Sequence, residues 1–220
     1  PPPHISPRHS DARDICQNPT APAGAGVRVE GGEGKNKGAG TGDEVPASAG
    51  TTRQALAITG AANADAVSGA DVVLLAVPFE GLHPTAESLR EALAGRLVVS
   101  IVAPVEFVDG QMRAVSVPEG SAGELTRDLL PESRVAAAFQ NMSARDLLRA
   151  DHPLEGDVAV TADDDEARRE TMALAEAMPS LRAVDAGPLS NSRYVEELTA
   201  LLVNLNRIHK AHSTIRFLGL

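Results

Sequence analysis

Two stretches decide the fold class: Asp71-Val72-Val73-Leu74-Leu75-Ala76-Val77-Pro78 and, about one helix later, Leu97-Val98-Val99-Ser100-Ile101-Val102-Ala103-Pro104. Each is a short, continuous aliphatic run closed by proline. A strand with one face in water alternates apolar and polar residues, whereas a strand covered on both faces does not need to. Both runs therefore read as covered strands of a parallel sheet. Between them, Thr85–Leu93 carries Ala86, Leu89, Ala92 and Leu93 at helical spacing. Strand, helix and strand at this separation predict a βαβ unit.

Further along, Ser121-Ala122-Gly123-Glu124 is a capping box that opens a helix through Leu130. Arg134–Phe139 and Asp157–Thr161 read as a third and a fourth strand. Asp163, Asp164 and Asp165 precede a helical stretch to about Met178, where acids suit the positive helix end. Tyr194, Val195, Leu198, Leu201, Leu202 and Leu205 form one face of a long final helix. The expected architecture is α/β with a mostly helical C-terminal part.

Composition bounds the rest. The 220 residues are 43% hydrophobic but only 2% aromatic, with no Trp, so the core must be aliphatic. A net charge of −10 without a Lys/Arg cluster argues against a nucleic-acid partner. The single cysteine, Cys16, cannot form an internal disulfide, and no apolar run approaches the roughly 18 residues of a membrane span. The Pro-rich start does not read as a signal peptide, so a cytoplasmic protein is expected. Residues 1–50 hold 9 of the 19 glycines and 7 of the 15 prolines, and no Leu, Met, Phe or Tyr. With so little apolar area to offset backbone entropy, this stretch is expected to lack order, and the ordered chain to begin near Ala55.

In an open parallel sheet, ligands sit beyond the carboxyl ends of the strands. Here those ends are Ala76-Val77-Pro78, Ala103-Pro104 and Phe139-Gln140-Asn141. A dinucleotide-type phosphate loop is not found: no G-x-G-x-x-G occurs in residues 1–60. Gly38-Ala39-Gly40-Thr41-Gly42 lacks both the preceding strand and the following helix that a phosphate cradle needs. His209 and His212 lie three apart but have no third ligand nearby, and Asp163–Glu166 reads as a solvated helix start, so no metal site is expected. Ser121 is spent as a cap and Cys16 is a poor nucleophile candidate, which leaves no acid/base or nucleophile constellation. Gly187-Pro188-Leu189-Ser190-Asn191-Ser192-Arg193 is either a plain loop into the final helix or a polar site for an anion or a polar ring.

These blocks together resemble the NADPH-dependent oxidoreductases of the 5-deazaflavin coenzyme F420. The resemblance rests on Ile58-Thr59-Gly60, Asn63, Ala70-Asp71, Ala76-Val77-Pro78, Ser121-Ala122 and Asp163-Asp164-Asp165-Glu166. It continues through Asp185-Ala186-Gly187-Pro188-Leu189-Ser190-Asn191-Ser192-Arg193, Leu201–Asn206 and Ile215-Arg216-Phe217. The resemblance implies a Rossmann-like parallel sheet, incomplete at its N-terminal strands, over residues 55–162, followed by a small helical lobe over 163–220. It implies hydride transfer between NADP and coenzyme F420, catalysed by positioning two rings without a dedicated catalytic side chain. Ala76, Val77, Pro78, Val102, Ala103 and Ala138 would then line the nicotinamide side. Gln140, Asn141 and the loop Gly187, Pro188, Leu189, Ser190, Asn191 and Ser192 would lie toward the deazaflavin.

Two features depart from the family pattern. Gln140-Asn141 stands where many relatives have His-Thr or Asn-Thr. The Gly-rich loop and the Ser-Arg pair that holds a 2′-phosphate are not found, which implies weak binding of NADPH and poor discrimination from NADH. A second reading is therefore an inactive Rossmann remnant, a weak binding or interaction module; a third is another Rossmann reductase, of the imine or pyrroline type. The apolar stripe of the final helix is expected to pack on the protein's own sheet, while the resemblance implies a homodimer that uses part of it.

Overall fold

A computed structural model describes residues 25–30, 57–147 and 154–220. The chain divides into two compact units, one ending at Asn63 and one running from Ala64 to Leu220. In the first, strand β1 (Ala25–Glu30) pairs antiparallel with β2 (Ala57–Ala62), from Ala25 opposite Ala62 to Glu30 opposite Ala57. Strand β1 lies inside the stretch expected to lack order; the remainder of residues 1–54 lies outside the described residues.

The second unit takes in all but the first residue of α1 (Asn63–Val67), followed by β3 (Val72–Leu75), α2 (Phe79–Leu93) and β4 (Leu97–Ser100). A hairpin follows, β5 (Val105–Val108) and β6 (Gln111–Ala114), and then α3 (Ala122–Leu129) and β7 (Arg134–Ala137). The chain continues through α4 (Ala144–Leu147), β8 (Gly156–Ala162), α5 (Asp165–Glu176), β9 (Leu181–Asp185) and α6 (Ser192–His209). The predicted βαβ unit is present, and the sheet order is β3-β4-β7-β8-β9. The pairs β3–β4, β4–β7 and β8–β9 are parallel, while β7 and β8 are antiparallel. The sheet is thus mostly parallel, as a Rossmann-like fold requires, with a reversal at β8. Strand β9 joins this sheet beside β8, and α5 packs on it through Ala167 and Ala175.

Alternation along the strands feeds two cores. Val98, Val135 and Ala137 pack with Leu82, Leu89 and Leu93 of α2 and with Ala122 and Leu129 of α3. Leu97, Val99 and Ala136 face the other way, toward Val158 and Val160 of β8 and Ala167 and Ala175 of α5. Central strands with a core on each face need no polar alternation, which is why they read as aliphatic runs. Strand β3 is the sheet's edge among the described residues, and its Val72 and Leu74 are 39% and 48% exposed.

Helix α2 begins six residues before the expected Thr85, at Phe79, directly after Pro78. Pro84 is the sixth residue of the helix, past its first turn, so α2 forgoes the bond that an N–H there would give the Glu80 carbonyl. The capping box forms as expected: the Ser121 hydroxyl accepts the Glu124 amide at 3.0 Å. The β5–β6 hairpin was not expected. Asp109 and Gly110, with φ of 49° and 79°, form its two-residue turn, and the turn type favours Asp-Gly.

Candidate functional site

Leu75, Ser100 and Ala137 lie abreast in the parallel ladder of β3, β4 and β7. The chain therefore leaves all three strands at one level. The ladder extends past that level, with the Ile101 amide donating to Leu75 and the Ala138 amide to Ser100, each at 3.1 Å. This brings the three predicted strand ends, residues 76–78, 103–104 and 139–141, to one edge of the sheet.

The predicted site residues have different surroundings there. Ala76 and Pro78 are exposed, and Val77 and Ala103 are half-buried, so these can meet a ligand. Val102 and Ala138 are buried in the two cores, at 3% and 0% exposure, and support the edge from beneath. Phe139 has φ of 68°, a left-handed backbone that an aromatic residue seldom adopts. Such outliers cluster at functional sites because the surrounding structure must hold them in place. The next residue, Gln140, is buried; its amide reaches the Ser100 carbonyl only at 3.5 Å, and its Oε1 has no hydrogen-bond partner. The buried Ser100 hydroxyl is likewise without a partner. Both orphaned polar groups lie buried just beneath this strand edge.

Asn141 has a different task. Its amide donates to the Val195 carbonyl at 2.9 Å and to the Thr199 hydroxyl at 3.1 Å, while Thr199 donates to the Gln140 carbonyl at 3.2 Å. Helix α6 thus holds the backbone that carries Gln140. The loop at residues 187–192 is also committed internally. The Gly187 amide donates to Asp185 and the Leu189 amide to Asp163; the Asn191 side chain donates to the Ala186 carbonyl. Leu189 is in the core, and the buried Ser192 hydroxyl meets Thr161 at 2.6 Å. Of the loop residues, only Pro188 and Ser190 are exposed. The residues weighed for a metal are occupied in similar ways: Asp164 caps α5 through the Ala167 amide, and His212 faces Asp146 at 3.1 Å.

One residue of the site region escaped the sequence reading. Glu196 is 2% exposed, and its two oxygens accept the Ala122 and Gly123 amides at the start of α3, at 2.8 and 3.0 Å. Burial pushes its carboxyl up to about 7, against the pull of those amides, and Glu124 and Glu197 add to the rise. Its signal was the helical phase, since Glu196 falls four residues after buried Ser192 and four before buried Ala200. It also lines a cavity of about 220 Å³ with Pro104, Val115, Val117, Arg193 and Glu197. The same phase turns Tyr194 and Leu201 outward, at 63% and 52% exposed, so the stripe expected to pack on the sheet does so only in part.

A mostly parallel α/β sheet with its strand ends gathered at one edge is a Rossmann-like arrangement, in which a ligand binds beyond the carboxyl ends of the strands. Residues 35–104 match the family described as NADP oxidoreductase, coenzyme F420-dependent. The chain is 38% identical over 159 residues to the F420-dependent NADP reductase of Methanocaldococcus jannaschii, covering 71% of each chain. It is 37% identical over 158 residues to the enzyme of that name from Methanothermobacter thermautotrophicus, covering 70% of this chain and 68% of the relative. Among solved structures, a putative F420-dependent NADP reductase from an Arthrobacter species aligns with a TM-score of 0.62 at 25% identity, over 71% of this chain and 73% of the other. The chain belongs to the F420-dependent NADP reductase family.

Proposed function

We propose that this chain is an oxidoreductase that transfers a hydride between NADPH and coenzyme F420. The observation that carries the reading is the gathering of residues 76–78, 101–104 and 138–141 at one sheet edge, with the free Gln140 Oε1 and Ser100 hydroxyl facing no protein partner. The two ligands supply the redox chemistry, a hydride moving between two rings held face to face. The chain supplies a platform. Ala76, Val77, Pro78 and Ala103 offer small or flat surface to the nicotinamide, with Val102 and Ala138 packed beneath. Gln140 offers an amide to the deazaflavin side, and Asn141 and Thr199 keep Gln140 in place. The 187–192 loop acts by fixing the start of α6, with exposed Pro188 and Ser190 as its surface toward the ligand. No side chain needs to gain or lose a proton for a hydride to pass; orientation supplies the rate.

A homodimer in the cytoplasm completes the reading. Tyr194, Leu201 and Ile208 recur every seven residues on the outer face of α6 and are 63%, 52% and 72% exposed. A seven-residue apolar repeat on a helix is suited to a second copy of the same helix. Light scattering at micromolar concentration should give twice the chain mass; a strict monomer would count against it. Among the described residues, no helix is long and apolar enough to cross a membrane.

The activity is tested by mixing the purified chain with millimolar NADPH and oxidised F420 and following loss of the deazaflavin absorbance. Absence of turnover by a folded sample would remove the enzymatic reading.

A further inference from the structure

We propose that Glu196 is a positioning residue for this hydride transfer, holding the start of α3 against α6 and with it the wall of the cavity beside Pro104. The proposal rests on the functional reading above and adds a residue to it. Helix N-termini leave amides without intrahelical partners, which capping side chains, water or an anion can satisfy. Here the chain supplies the anion itself. Both oxygens of one buried carboxylate take the Ala122 and Gly123 amides, a contact bridging more than seventy residues of sequence.

The consequence reaches the sheet edge by two routes. Gly123 lies so close to β7 that a Cβ on it would stand 3.2 Å from the Ala137 side chain, so the start of α3 and the end of β7 are in register with each other. On the same turn of α6, Val195 and Thr199 hold Asn141 and the Gln140 carbonyl. Glu196 itself then forms part of the cavity whose other wall, Val115 and Val117, follows Pro104 and the hairpin. The α6 side of the edge is the one the functional reading gives to the deazaflavin.

The clamp depends on charge. An ionised carboxylate can accept both amides, whereas a protonated one turns its O–H toward one of them. The groups facing it are Glu124 from α3 and Glu197 and Arg193 from α6. The carboxylates oppose ionisation and, with burial, bring the change near neutral pH. The wall of the cavity is therefore set firmly at alkaline pH and loosened below neutrality.

The test uses the full chain with Glu196→Gln and Glu196→Ala. Tyr194 is the sole tyrosine and there is no Trp, so intrinsic fluorescence reports the α6 start two residues from Glu196. The wild type should show a fluorescence transition centred near neutral pH that Glu196→Gln lacks; a transition unchanged in Glu196→Gln would overturn the clamp. In steady state at about pH 8, Glu196→Gln should raise the KM for F420 about tenfold with kcat within about twofold. Sodium formate should bring the Glu196→Ala KM back toward wild type, by returning a carboxylate to the same amides. Wild-type KM in both variants, or a KM that formate does not move, would overturn the positioning role even if the variants melt earlier. If the wild type itself fails to turn over, the functional reading fails and the positioning role with it, while the Tyr194 titration still decides the clamp.

Discussion

The Asp157 carboxylate and the Arg182 guanidinium meet side by side across β8 and β9, with Nη2 2.6 Å from Oδ2 and Nε 3.0 Å from Oδ1. The pair also holds the C-terminal tail. Asp157 Oδ2 accepts the Phe217 amide at 2.6 Å, Arg182 donates to the Phe217 carbonyl, and the Asp157 amide donates to Ile215. Arg182 holds the Asp157 carboxyl below the usual range.

Because the folded carboxyl is the stronger acid, Asp157 contributes stability that is fully present above its unfolded pKa and is lost as pH falls through the lower folded value. Asp157→Asn should cost about 2–3 kcal/mol at neutral pH, since Asp157 is buried and Arg182 half-exposed. The variant should lose less stability than wild type between about pH 5 and 3, measured by urea denaturation across that range. Equal acid sensitivity of the two proteins would refute the assignment.

Gly123 is packed by the Ser192 hydroxyl, Ala137 and Leu189, which would stand 2.9, 3.2 and 3.2 Å from an added Cβ. All three belong to buried residues that cannot swing away. Gly123→Ala should therefore destabilise by about 1–3 kcal/mol despite alanine's better helix propensity. A denaturant midpoint equal to or above that of wild type would show that the contact relaxes freely.

Asn204 of α6 closes the β6 edge as a neighbouring strand would: its Oδ1 accepts the Met112 amide and its Nδ2 donates to the Met112 carbonyl, both at 2.8 Å. Arg207 adds a contact, its guanidinium 4.5 Å from the Phe107 ring centre. Asn204→Ala should speed hydrogen exchange of the Met112 amide by about tenfold or more while leaving β4 and β7 protected. Unchanged exchange at Met112 would mean that the hairpin docks without this clamp.

Gln140 separates stability from function. Its Oε1 is buried and unpartnered, so Gln140→Leu should leave the melting temperature unchanged or raise it. The same change should lower kcat/KM for F420 about tenfold or more if the amide serves the deazaflavin ring. Turnover equal to wild type would remove Gln140 from the site.

The candidate edge was legible because the central strands are aliphatic and end in proline or in polar residues. The strand ends at residues 76–78, 103–104 and 139–141 could be named without coordinates, since a parallel sheet collects its strand ends. The roles within those segments were not legible. Val102 and Ala138 face inward because strand alternation continues one or two residues beyond the ladder, and Asn141 is spent on α6. The hairpin carried a readable Asp109-Gly110 turn, but its strands, Val105–Val108 and Gln111–Ala114, are only four residues each, too short for their alternation to stand out.

The sequence by itself determined the α/β class, the βαβ unit, the capped starts of α3 and α5 and the family, because each is written in local pattern: aliphatic runs, helical spacing, a capping box, ordered motif blocks. Only the tertiary structure decided that β8 runs against β7, that β9 joins the main sheet, that the tail is held by Asp157 and Arg182, and that Glu196 is buried. The physical reason is common to all four. Strand direction, tail docking and the partner of a buried charge depend on contacts between segments tens of residues apart, and no local pattern records which distant amide will meet a given carboxylate.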